Sequence, residues 1–467
     1  MANDYLTLEA RKENALTLAA ALGISVDSAS QALEVDIVIC ADPTDAVAAD
    51  IAQHVCDLLT RTVRRASVGE TGEAAHAKLI IGAVSSQPNG QNLYLHVNET
   101  AASITSQPGP WRPCAPIPPL CRLLIACYAA AAMVYRATGS ALPSTVPDPL
   151  ILRFADLGVE LDALSEPIEL GHAYLAGAGA IGNGLLWAAR YLDLRGRLEI
   201  VDDDHVTSGN LNRQIWFQTD DIAKPKAARL AKLTQPYFAS LELVPRQCRL
   251  QDLPERSDKP WLSRLIVAVD SRRARRELQN EFPGEVFDAS TTDIREVVIH
   301  HHKQPTAHAC LSCIYEPDEA EFSREHHIAE HLGVTVEEVR SERISTASAA
   351  VIAARFPTLS TADIAGVAYD SLFKTLCSTG QLGMLTDKRI LAPFAFVSVL
   401  AGALLAVELV RYLGGPSSAA ETNYWRASPW HSPLARRRIL RARQPHCGFC
   451  ADRIKSIVNR QLWGPIH

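Results

Sequence analysis

At its start the sequence lacks the pattern of a signal peptide. Its first 18 residues, MANDYLTLEARKENALTL, hold no basic start followed by an apolar stretch, and no lipidation signature. A cytoplasmic protein is expected. Excess positive charge is absent too: 46 Lys and Arg stand against 52 Asp and Glu, a net charge of −6, so no global field is present to hold nucleic acid. Cysteine is not arranged as a disulfide framework. The 11 cysteines are odd in number and spread along the chain, which points to metal ligation, a reactive thiol and packing residues. No repeat of solenoid period occurs. One run, 390–407, has no charged residue and reaches the length of a membrane span. Pro393 and Ser398 interrupt it and Ala and Gly dilute it, so a buried helix is expected and no membrane role.

What is present is enough for several domains. The 467 residues are about three typical domains in length, and 47% hydrophobic with 21% charged residues is an ordinary folded composition. Residues 1–150 read as α/β without active-site chemistry. Apolar runs at 35–43, 77–85 and 93–97 are strand candidates, 44–63 and 119–137 are helix candidates, and no Gly-rich turn occurs among them. The proline-spaced stretch 143–149 is the best linker signal.

From 172 the pattern changes. A strand at 172–176 runs into Gly177-Ala-Gly179-Ala-Ile-Gly182 and a helix to about 192, and a second strand, 197–201, ends in Asp202-Asp203-Asp204. Asp202 lies 25 positions after Gly177, near the spacing at which a βαβ unit sets an acid beside a ribose. A third strand, 264–269, ends in Asp270. A doubly wound (Rossmann-like) sheet with its ligand at the strands' C-terminal edge is expected. A glycine turn between strand and helix can receive phosphate on its N–H groups, and the bland alternative is a structural turn. Its default owner is a NAD-dependent oxidoreductase. The residues that follow favour ATP: acids, Asn210, Arg213 and Gln214, then Asp221-Ile-Ala-Lys-Pro-Lys226, supply acids for ribose and Mg²⁺ and cations for a triphosphate. A solvated loop of mixed charge is the competing reading.

Cys310-Leu-Ser-Cys313 and Cys447-Gly-Phe-Cys450 form two CxxC pairs separated by 133 residues. Two such turns complete a tetrahedral Cys₄ zinc site, closed and structural; redox dithiols are the alternative. His300-His301-His302 reads as a strand's polar stretch. His327 and His331 have an i,i+4 spacing that could bind metal, but a surface helix is the expected reading. Cys377 sits in a short polar turn, LCSTGQLG, before the apolar helix 391–412, where a thiol can be reached and its pKa lowered. A half-buried structural cysteine is the alternative. Cys40, Cys56, Cys114, Cys121, Cys127 and Cys248 read as packing residues.

Taken in order, GAGAIG, DDD, NLNRQ, KPK, Asp270 and the CxxC pairs resemble the ThiF, MoeB and ubiquitin-activating superfamily of adenylating enzymes over about 150–455. The resemblance implies an adenylation domain that activates the C-terminal glycine of a ubiquitin-like protein with MgATP. Gly177, Gly179 and Gly182 would then cradle phosphate and Asp202 would hold the ribose. Asp204, Asn210, Arg213 and Lys226 would line the triphosphate, Asp270 would hold Mg²⁺, and Arg213, Lys226 and Asp270 would act in catalysis. Where the family commonly has a double glycine, this chain has Gly179-Ala180. The family's two CxxC pairs clamp its domain with zinc, and its catalytic-cysteine loop resembles the Cys377 turn. The 63 residues between Cys313 and Cys377, with helical patterns at 319–331 and 336–355, read as a helical insert.

Together with 1–150, that insert makes the chain most similar to bacterial ubiquitin-activating enzymes of the BilD type, which carry an N-terminal pseudo-adenylation domain. The expected organisation is an inactive adenylation-like domain (1–150), an active adenylation domain (151–313), a helical insert leading to the cysteine loop (314–377), and a C-terminal part with the second CxxC (378–467). The implied cycle is adenylation, thioester formation on Cys377 and transfer to a conjugating-enzyme-like protein. Either a homodimer or an intrachain pseudo-dimer would suit. The rivals are a sulfur-carrier or peptide adenylyltransferase without thioester, a NAD-dependent oxidoreductase, and an inactive scaffold.

Overall fold

The computed structural model describes residues 6–71, 74–86, 90–138, 146–258, 260–292, 294–341, 343–378, 392–414, 422–434 and 437–464. The chain divides into two compact units, one of Met1–Ile314 with Leu391–His467 and one of Tyr315–Ile390.

The larger unit holds two sheets. The first contains β1 (Asp36–Ala41), β2 (Arg65–Val68), β3 (Ala77–Ile81), β4 (Asn92–Val97), β5 (Ala101–Thr105) and β6 (Leu150–Arg153), in the order β2-β1-β3-β4-β5-β6. Its first four strands are parallel and the last two pair antiparallel. The sheet therefore takes in Leu150–Arg153, just past the expected boundary.

The second sheet contains β7 (Ile168–Ala176), β8 (Leu194–Val201), β9 (Leu241–Arg246), β10 (Arg264–Val267), β11 (Glu285–Thr292), β12 (Glu296–Lys303), β13 (Tyr424–Ala427) and β14 (Arg438–Ile439). Their order is β14-β13-β12-β11-β10-β7-β8-β9, with β11-β10-β7-β8-β9 parallel. The helices Ala180–Ala189, Lys226–Thr234 and Arg272–Gln279 make the β7–β8, β8–β9 and β10–β11 crossovers. The chain winds from β7 one way through β8 and β9, then restarts at β10 on β7's other side. That reversal opens a crevice beyond the C-terminal ends of β7 and β10, the switch point of a doubly wound sheet. The expected fold class is the one observed. β10 stops at Val267, so Asp270 lies three residues beyond the strand rather than on it.

Two helices of 19 residues, Pro119–Ala137 and Ala395–Leu413, are long and apolar enough to cross a membrane, but 78% and 89% of their most apolar windows are buried within the fold. Being apolar all round suits an interior helix. Helix Ala395–Leu413 approaches Ala180–Ala189 so closely that a Cβ on Gly402 would lie 2.1 Å from the Gly184 carbonyl carbon, and one on Gly184 2.5 Å from the Ser398 oxygen.

The His300–His302 run lies in strand β12, as expected, and all three side chains are buried. His301 pairs with Glu285 at 3.1 Å and stacks on Tyr412, while His300 Nε2 meets the Ala309 carbonyl at 3.0 Å. Burial lowers the His300 imidazole to about 3, so it is neutral.

The unit Tyr315–Ile390 is helical, with a core of residues such as Ile328, Leu332, Ile352, Phe373 and Leu376. The pattern 336–355 is two helices, Val336–Arg340 and Thr346–Arg355, because Ser345 accepts the Ser348 N–H and caps the second.

Candidate functional site

The glycine turn follows β7 directly. Gly177 has φ +103°, and a Cβ there would sit 2.8 Å from the Ala268 backbone oxygen past β10. A side chain on Gly182 would lie 2.1 Å from the Gly177 oxygen. Both glycines let the turn fold tightly against β10's end. Gly179 is different: it caps helix Ala180–Ala189 without a side-chain cap, and open space surrounds its Cβ position. The first helical N–H groups thus face a place where an anion can sit.

Asp202, at the end of β8, turns back onto this loop. One carboxylate oxygen accepts the Ala178 N–H at 2.7 Å and the other accepts the Asp204 N–H at 2.9 Å. Burial raises its pKa above the ordinary value, against the pull of Lys226. Asp204 in turn pairs with Lys226 Nζ at 2.9 Å. Arg213 Nη1 donates to the Gly209 carbonyl and to Asn212 Oδ1. Burial lowers its pKa, opposed by the charges of Glu13 and Asp270. Asn210 is engaged in its own turn, its Oδ1 accepting the Thr207 N–H at 3.1 Å. The glycine turn, Asp202, Asp204 and Lys226 are thus linked in one chain of contacts, and Arg213 shares its field with Asp270. The loop before Asp270 is fastened by Arg275, which donates to the Val269 carbonyl and pairs with buried Asp288.

The four CxxC cysteines form a separate cluster, their sulfurs all within 4.8 Å of one another. Gln444 donates its N–H to Cys313 Sγ at 3.4 Å, and the Phe449 and Cys450 N–H groups reach Cys447 Sγ at 3.5 and 3.4 Å. Four converging sulfurs with N–H donors on two of them fit thiolates around one metal ion, and zinc is the ion such a set suits.

Residues 153–449 match the ThiF family. The chain belongs to that family. Residues 8–160 match the E1 N-terminal domain. Uncharacterized protein y4jF of Sinorhizobium fredii is 30% identical over 291 residues, which are 58% of this chain and 55% of that protein. Ubiquitin-like modifier-activating enzyme 7 of Homo sapiens is 32% identical over 150 residues, 30% of this chain and 15% of that one. The NEDD8-activating enzyme E1 catalytic subunit of Arabidopsis thaliana is 40% identical over 76 residues, 16% of each. The chain thus spans about half of the first relative and a smaller part of the other two. Among solved structures, E. coli MccB with MccA aligns at a TM-score of 0.39 and 14% identity, over 70% of this chain and 74% of that one.

In this ThiF chain, three residues of the N-terminal region hold the Arg213 segment, and sequence reasoning missed them. Arg61, 4% exposed, donates to the carbonyls of Leu211, Ile215 and Phe217 at 2.6, 2.7 and 3.0 Å. Asn14 donates to the Arg61 carbonyl and accepts from Asn212, which itself accepts from Arg213. Thr7 donates to the Ser208 carbonyl at 3.0 Å. Pairing between the two α/β regions is therefore made within one chain. No local motif announces such contacts, because each joins residues about 150 to 200 positions apart.

Cys377 is in the last turn of helix Tyr369–Ser378, in the helical unit, rather than in the turn after it. The rest of the expected cysteine loop, 379–391, lies outside the described residues. Other cysteines suit packing: burial raises Cys56 to about 11 and Cys114 and Cys121 to about 12, raises Cys127 further, and raises Cys248 as well.

Proposed function

We propose that this chain activates the C-terminal glycine of a ubiquitin-like protein with ATP and passes it to its own Cys377. What supports the reading most is the convergence, at one switch point, of an anion-receiving helix start, a ribose-type acid in Asp202 and the cations Lys226 and Arg213. In this reading Gly179 and the N–H groups after it bind phosphate, and Asp202 accepts the ribose hydroxyls. Lys226 leaves Asp204 to meet the triphosphate, and Arg213 stabilises charge developing on it. Mg²⁺, when bound, would offset phosphate charge, and Asp270 offers a hard oxygen ligand at the crevice for it.

The substrate's carboxylate oxygen attacks the α-phosphorus, a new P–O bond forms, the bond to the bridging oxygen breaks, and pyrophosphate leaves. No protein base is needed, since the carboxylate is already the nucleophile. Positioning and charge stabilisation supply the catalysis. The Cys377 thiolate then attacks the acyl carbon, AMP leaves, and a thioester remains for a conjugating-enzyme-like protein. The N-terminal region and the helical unit support a ubiquitin-activating enzyme similar to the BilD type over a compact sulfur-carrier enzyme. A cytoplasmic setting suits a chain whose two CxxC pairs gather as a metal-type Cys₄ set rather than as disulfides.

The test separates the two steps. Cys377→Ala retains ATP–pyrophosphate exchange and forms no thiol-sensitive adduct with the ubiquitin-like protein. An adduct on Cys377→Ala would move the nucleophile to another cysteine. Exchange without any adduct in the wild type would leave a sulfur-carrier type of adenylyltransferase.

A further inference from the structure

The helical unit holds a second group of metal-binding side chains, outside the adenylation site and the Cys₄ cluster. His327, Glu330 and His331 stand on one face of helix Glu319–Leu332, at i, i+3 and i+4, and one ligand atom from each lies within 4.8 Å of the others. The two imidazoles face each other with centroids 4.0 Å apart and planes inclined by 33°. We propose that these three residues bind one divalent transition-metal ion.

The hydrogen bonding prepares one ligand. His331 Nδ1 meets the His327 carbonyl oxygen at 2.9 Å. A carbonyl can only accept, so Nδ1 carries the proton and Nε2 keeps its lone pair, the tautomer a metal requires. Both rings pack against Phe373 of helix Tyr369–Ser378 in T-shaped contacts, His327 at 5.9 Å and His331 at 6.0 Å. That packing restricts rotation of both rings, and one ligand atom of each of the three residues lies within 4.8 Å of the others. Two imidazoles and one carboxylate suit zinc, nickel, cobalt or copper, and not calcium or magnesium, which prefer all-oxygen shells. Glu330 is exposed and both histidines are half-buried, so water completes the shell and the ion exchanges readily. Coordination ties two successive turns of the helix and fixes the surface on which Phe373 lies, four residues before Cys377.

The experiment uses the full chain without a histidine tag, its Cys₄ cluster loaded with zinc, titrated with Ni²⁺ by calorimetry. One Ni²⁺ per chain should bind with the zinc content unchanged. His331→Gln and His327→Gln should each weaken binding at least tenfold, and Glu330→Gln, at an exposed position that leaves the fold intact, should weaken it less. Cu²⁺ on the wild type should give an electron paramagnetic resonance spectrum with nitrogen coupling from two imidazoles. Absence of Ni²⁺ binding, binding unchanged in both His331→Gln and Glu330→Gln, or copper coupled to fewer than two imidazoles would overturn the assignment.

Discussion

Arg61 belongs to the N-terminal region, yet its replacement should damage the nucleotide site. Its guanidinium is buried and donates to three carbonyls, of Leu211, Ile215 and Phe217, within the segment that carries Asn212 and Arg213. Arg61→Ala leaves all three acceptors without that donor. A hydrogen bond to a charged group contributes about 1.5–3 kcal/mol and an orphaned buried acceptor costs about 1–3 kcal/mol. The three share one donor group and are not additive, so a loss of about 3–5 kcal/mol is expected. Stabilities of about 5–15 kcal/mol are typical, so Arg61→Ala is severely weakened and is best studied in the cold. Arg61→Lys has a single ammonium that cannot span three carbonyls, and should recover only part of the loss. Denaturant unfolding gives the stability, and ATP–pyrophosphate exchange gives the KM for ATP. Both should worsen, with KM rising in Arg61→Lys even where the chain is folded. Unchanged stability and unchanged KM in Arg61→Ala would refute the claim that the N-terminal region holds the Arg213 segment in place.

Gly402→Ala places a Cβ 2.1 Å from the backbone of Gly184 and Leu185. It should cost about 1–3 kcal/mol or more by overpacking, read as a lower melting temperature, while Gly90→Ala, with open space around it, should not. For Asp202, burial raises the pKa above 3.8, so the folded state binds this proton more tightly than the unfolded chain, and the group's contribution to stability declines as pH rises through that window. The ionised carboxylate accepts ribose hydroxyls more strongly than the neutral acid. KM for ATP should therefore climb as pH falls towards the raised pKa; a KM that is flat across that range, with the fold intact, would remove Asp202 from the ribose. The Cys₄ cluster should hold about one zinc per chain, and Cys450→Ser should release it and lower the melting temperature; metal analysis finding none in protein purified without chelator would rule this out.

The candidate nucleotide site is legible in the sequence because its residues are chemically distinctive and sit at βαβ spacing. Gly177, Gly182 and Asp202 are fixed by backbone contacts that few other residues permit, and the expected doubly wound sheet follows from the strands that deliver them. Weak strands were less visible. β2, Arg-Ala-Ser-Val, and β5, Ala-Ala-Ser-Ile-Thr, are short and mixed, and gain their stability from neighbouring strands rather than from their own pattern. The His300–His302 run is the strand the sequence suggests, and its burial is what the sequence does not show: Glu285 meets His301 Nε2 and the Ala309 carbonyl meets His300 Nε2, while His302 is buried with no hydrogen bond to either ring nitrogen among the described residues. Arg61, Asn14 and Thr7 act across long sequence separations and carry no motif. Helix Thr346–Arg355 starts afresh within a continuous helical pattern because Ser345 caps it, and that local cap outweighs the periodicity around it.

The central claim is that the crevice beyond β7 and β10 adenylates the C-terminus of a ubiquitin-like protein. The most direct measurement is ATP–pyrophosphate exchange with and without a ubiquitin-like protein ending in glycine, for the wild type, Lys226→Met and Asp270→Ala. The account predicts exchange in the wild type that depends on the ubiquitin-like protein, and its loss in both variants with folding intact. Exchange at the wild-type rate in both variants, or none in the wild type with any ubiquitin-like protein from its own genome, would contradict it.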